Sequence, residues 1–92
     1  MNITEIRKYV EDNNEPQLTP DELDHVANCM HHIHLWYYEN YPLGSFLSYV
    51  VENDFCNACF KADDTNRKAL YLYALFLANK IPFDYRKKAL AK

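Results

Sequence analysis

The chain has 92 residues, 49% of them hydrophobic and 15% aromatic, with a single glycine and a formal net charge of −3. That is the size of one small domain, 1–92, with a core just adequate for independent folding. So little glycine argues against a turn-rich β fold, and an acidic balance argues against a strongly nucleic-acid-binding domain. The longest apolar run, Ala69 to Ala78, is too short to span a bilayer.

The predicted elements are all helical. Ile3, Ile6 and Val10 recur at three- and four-residue spacing and predict a short first helix over 3–12. Asp12-Asn13-Asn14-Glu15-Pro16 ends it. Thr19-Pro20-Asp21-Glu22 then carries a capping box with proline at the first helical position. From there Leu23, Val26, Ala27, Met30 and Tyr37 trace the stripe of a long second helix, about 20–40. A third helix is expected over 45–62, with Leu47, Val50, Val51, Phe55 and Ala58 on its buried face. A fourth is expected over 64–80 and is apolar nearly all round. Such a helix is buried on several sides, or packs its second face on another chain. Pro82 stops it, and a short cationic helix over 84–91 completes an all-α, compact four- to five-helix bundle. No segment shows period-two alternation.

Charge is unevenly spread. Residues 1–24 sum to −5 and residues 67–92 to +6. The two ends are expected to attract each other, within the fold or across an oligomer. Arg86, Lys87 and Lys88 are the candidate contacts to an anionic partner. Three cysteines, Cys29, Cys56 and Cys59, fit a reducing compartment. No signal peptide is visible at Met1, so the expected location is cytoplasmic.

The stretch Pro42-Leu43-Gly44-Ser45-Phe46-Leu47 holds the only glycine. Gly44 is expected to sit where a side chain will not fit, turning the chain sharply between two helices. The N–H groups that follow either cap onto Ser45 or hold an anion. His34-Leu35-Trp36-Tyr37-Tyr38 is the most aromatic stretch, and Trp36 and Tyr38 lie off the buried stripe. A partner protein or a nucleobase stacked on them would cover them. A ligand site is therefore read at Gly44, Ser45, Trp36, Tyr38 and, as its cation, Arg67 or a lysine of the tail, and a partner surface at Trp36, Tyr38, Arg86, Lys87 and Lys88. Asp54 interrupts an apolar face and needs a partner: a tyrosine hydroxyl, the N-terminal N–H groups of a neighbouring helix, or Arg67. Asn53 and Asn66 are read, with Asp54, as structural polar residues that bond between helices. Cys56-Asn57-Ala58-Cys59 and His31-His32-Ile33-His34 have the spacing of a four-ligand zinc site, but a C-x-x-C in mid-helix is not the knuckle structural zinc prefers. No metal, cofactor or catalytic residue is assigned.

Pro42, Gly44, Phe46-Leu47, Val50, Asn53-Asp54, Ala58, Ala62-Asp63, Asn66, Leu70, Tyr73, Phe76-Leu77, Asn79 and Pro82 form an ordered pattern. In it the stretch from Tyr41 to Pro82 resembles a group of short, uncharacterised proteins carried by phages, prophages and other mobile elements. Those proteins often continue past the proline into Trp-Gly-Ser, where this chain has Phe83-Asp84-Tyr85-Arg86. The resemblance implies a host-facing accessory role, counter-defence included, and brings no activity or catalytic residues with it. Three functions follow as expectations. One is a non-enzymatic inhibitor of a host factor; another is a sponge for a nucleotide-like signal. The third is a small zinc- or thiol-dependent protein. A homo-oligomer is expected, with no membrane and no specific nucleic acid as partner.

Overall fold

In the computed structural model, residues 1–91 are described, and they contain helices and connecting turns with no strand. The elements are α1 (Ile3–Asp12), α2 (Pro20–Glu39), α3 (Ser45–Val51), α4 (Phe55–Lys61), α5 (Asp64–Lys68), α6 (Leu70–Lys80) and α7 (Tyr85–Leu90). The all-α class holds; the bundle is built from more and shorter pieces than periodicity alone suggests.

α1 and α2 form an antiparallel hairpin. Arg7 Nε donates to Asp24 Oδ1 at 2.7 Å, and the Met1 ammonium lies 3.4 Å from His34 Nε2. Both helices open on complete capping boxes, Asn2 with Glu5 and Thr19 with Glu22, which satisfy N–H groups that would otherwise lack partners. Ile6, Val10, Val26, Met30 and Ile33 from this hairpin are fully buried against Leu72, Tyr73 and Phe76 of α6 and Val50 of α3. The radius of gyration, 12.1 Å, is that of a close-packed chain of this length.

The predicted 45–62 helix breaks at Asn53. Asn53 adopts φ 60°, a left-handed conformation asparagine tolerates. Its N–H donates to Val50 O and that of Asp54 to Tyr49 O, which closes α3 in a Schellman motif. Asp54 then caps α4, accepting from the Asn57 backbone N–H at 3.2 Å and from Asn57 Nδ2 at 2.7 Å. Asp54 is therefore no buried charge seeking a distant partner: it starts its own helix. The predicted 64–80 helix breaks at Ala69, which is fully buried at φ −98°, ψ 7°. No residue in Lys68-Ala69-Leu70 signals that bend. Ala69 lies in the core at that point, and its N–H donates to Asn66 O at 3.1 Å.

The expected attraction between the chain ends is expressed once. Among the described residues, Lys68–Glu22, at 2.5 Å, is the one ion pair joining residues 1–24 to residues 67–91. Hydrogen bonds from Lys68 Nζ and the Thr19 N–H hold the Glu22 carboxyl down to about 2. A carboxylate with a depressed folded pKa adds stability above its unfolded value, and that stability is lost as pH falls through the folded one. Between about pH 4.5 and 2, stability should therefore decline, and Glu22→Gln should flatten that limb in denaturant titrations run across pH. An unchanged acid limb in the variant would show that Glu22 does not carry it.

Candidate functional site

The residues singled out from the sequence divide into those the fold brings together and those it separates. Trp36, from the last turns of α2, is half-buried and packs against the core. Lys88 of α7 extends across it, Nζ lying 5.5 Å from the indole centroid, and also donates to Asn40 Oδ1. Between them and the α2–α3 connection opens a cleft of about 350 Å³, lined by Trp36, Asn40, Leu43, Ser48, Glu52 and Lys88 among others. Asn40 makes this cleft possible. At φ 58° it ends α2, its N–H donating to Trp36 O and that of Tyr41 to Leu35 O, so the chain turns away just beyond the indole.

Ser45 lines a neighbouring depression with Leu43, Ser48, Tyr49 and Glu52. Gly44, not Ser45, is the N-cap of α3, and no side chain caps that end. The expectation that a side chain would not fit at Gly44 is corrected. Its φ is −73°, and a Cβ built there meets nothing within 4 Å. The open N–H groups of α3 follow from the missing cap side chain, not from crowding.

Arg67 does not line the cleft. Its guanidinium donates to Cys59 O at 3.3 Å, Ala62 O at 3.1 Å and Asp64 Oδ1 at 3.2 Å, so it braces the α4–α5 link. Tyr38, two residues from Trp36, points elsewhere on α2. It is 56% exposed and sits against the rings of His34 (4.7 Å) and Tyr37 (4.8 Å). Tyr37 donates to Asp84, which together with burial raises its phenol to about 12 and ties α2 to the start of α7. Arg86 lies over Phe83, 4.9 Å from its ring, and Lys87 is exposed.

Asn53 and Asn66 bond between elements. Tyr85 Oη donates to Asn53 Oδ1 at 2.9 Å, fixing α7 on the α3–α4 turn. Asn66, 5% exposed, accepts from Tyr73 Oη at 2.6 Å. Its Nδ2 lies 3.4 Å from His25 Nε2 and 3.8 Å from Cys29 Sγ. This network of α2, α5 and α6 was not foreseen beyond Asn66, because i,i+4 pairs such as His25 and Cys29 do not reveal what faces them. Among the described residues, no group of three or more His, Cys, Asp or Glu side chains converges as a metal site. Cys56 is exposed at the surface of α4, while burial pushes His34 below its usual range. No helix of the described chain is long and apolar enough to cross a membrane.

Comparison with protein-family models, with curated proteins and with solved structures finds no match to this chain.

Proposed function

We propose that this is a non-enzymatic accessory protein of a phage or other mobile element that works by sequestration, holding a nucleotide-like anion in the Trp36–Lys88 cleft. The observation that supports this reading is an indole and an ammonium on one cleft of about 350 Å³, a volume suited to a small molecule. A base stacked on an aromatic ring gains about 1–3 kcal/mol whatever its identity. Lys88, on a flexible stem, leaves the indole face to the base and meets the phosphate. Asn40 and Ser48 supply hydrogen-bonding groups at the rim. Of the two cations the sequence offers for this ligand, Arg67 or a tail lysine, the reading takes the tail lysine Lys88, and Tyr38 leaves the set.

Native mass spectrometry of untagged protein, purified gently from expressing cells, tests this. The expected spectrum carries an extra mass of about a nucleotide per subunit or per dimer, and that mass is absent from Trp36→Ala and Lys88→Glu. Protein recovered free of added mass, and not stabilised in melts by any mono- or dinucleotide, linear or cyclic, would overturn the reading. Direct inhibition of a host protein is the second reading. The exposure of Phe60 (83%) on α4 favours it, since a large apolar side chain left in water marks a contact surface.

A further inference from the structure

Cys56-Asn57-Ala58-Cys59 is a motif the proposed cleft leaves unused. The break at Asn53-Asp54 takes it out of the middle of a long helix and sets it on α4, a short helix held at both ends. Asp54 caps one end, and at the other Arg67 donates to Cys59 O and Ala62 O. Three residues apart, the two cysteines lie on one face of α4. Cys56 is exposed and Cys59 half-buried, and neither thiol has a hydrogen-bond partner among the described residues. Cys29 differs, since its sulfur lies 3.8 Å from Asn66 Nδ2 within the α2–α5–α6 network.

Spacing decides what the pair can hold. Helix neighbours three apart have Cβ atoms about 5–6 Å from each other. A disulfide needs roughly 3.5–4.5 Å, so closing one would break the turn that Asp54 and Arg67 hold. Structural zinc takes four ligands, and among the described residues no third His, Cys, Asp or Glu converges on the pair. Two thiolates on opposite sides of one ion are a different case. With metal–sulfur bonds of about 2.3 Å, an in-line sulfur–metal–sulfur unit spans roughly 4.6 Å. The C–S bonds leave nearly at right angles to that line, so the Cβ atoms fall at the spacing an unbent helix supplies. Soft thiolates with no third ligand select copper(I). We propose that Cys56 and Cys59 form a two-coordinate copper(I) site on the solvent face of α4. Both thiols release their protons to solvent as the ion enters, which leaves a complex of charge −1. Arg67, bonded to the Cys59 carbonyl, puts a cation next to that residue. The site shares no residue with the Trp36–Lys88 cleft and does not rest on that reading.

Anaerobic titration of copper(I) against bicinchoninate, a coloured competing chelator, tests it. The reduced wild-type chain should withdraw one copper(I) per chain. Cys56→Ser and Cys59→Ser should each hold the ion about 100-fold or more less tightly, because each removes one of only two thiolates. Cys59→Ser/Lys61→Cys keeps two thiols on α4 but sets them five residues apart, on different faces, and should bind no better than Cys59→Ser. Circular dichroism checks that every variant is helical. Equal retention by the wild type and Cys56→Ser overturns the proposal, as does one ion shared between two chains, and so does full binding by the relocated pair. Should a variant fail to fold, the wild-type chain alone decides. Bound copper(I) should shield Cys56 and Cys59 from a thiol-alkylating reagent, and copper that leaves both open to it overturns the site.

Discussion

Phe76→Ala is expected to bring the domain to the edge of folding. The ring is fully buried on α6, its centroid 6.2 Å from that of Tyr9, and it faces the α1–α2 hairpin. Removing it deletes apolar contact and leaves a cavity that short, mutually braced helices cannot easily collapse into; such truncations cost about 3–5 kcal/mol. A chain of this length has a total stability of roughly 5–14 kcal/mol. The urea midpoint should therefore fall steeply at unchanged slope. A loss under about 1 kcal/mol would mean that α6 does not form the centre of the core.

Asn66→Ala is expected to cost about 2–3 kcal/mol, for a different reason. Tyr73 is fully buried, and its hydroxyl donates to Asn66 Oδ1. Burial pushes the Tyr73 phenol well above its usual range, so it remains a neutral donor. Without the amide that donor is stranded in the core, and a stranded buried polar group costs more than a hydrogen bond contributes. Tyr73→Phe should cost less, about 1 kcal/mol, because it removes the donor itself. The double variant should be about 1 kcal/mol more stable than the sum of the two losses predicts. Strict additivity in denaturant titrations would show that the pair does not act together.

Much of the fold could be read from residues whose signals are local. The capping boxes at Asn2–Glu5 and Thr19–Glu22 set the starts of α1 and α2, and both begin where backbone donors need those side chains. The break at Asn53-Asp54 was missed because its signal is conformational. An asparagine in the left-handed region followed by a capping aspartate ends one helix and begins another without glycine or proline. Ala69 could not be read at all, since alanine is the strongest helix former and carries no turn or capping signal. At the candidate site, Trp36 stood out as an aromatic residue off the buried stripe. Lys88 belonged to a run of bases with nothing local to distinguish it from Lys87. Only the docking of α7, anchored by Tyr85 on Asn53, carries Lys88 to the indole. Arg67 was misplaced for the converse reason: a lone cation near a polar turn reads as a ligand contact until the carbonyls it braces are seen.

Trp36 is the only tryptophan, so the proposed site carries its own probe. The most direct test is a titration of mono- and dinucleotides, linear and cyclic, followed by Trp36 fluorescence at low salt. The account predicts saturable quenching by at least one of them, abolished by Lys88→Glu and retained by Lys87→Glu, its exposed neighbour. Fluorescence that no nucleotide alters, in protein whose helicity is intact, would contradict it.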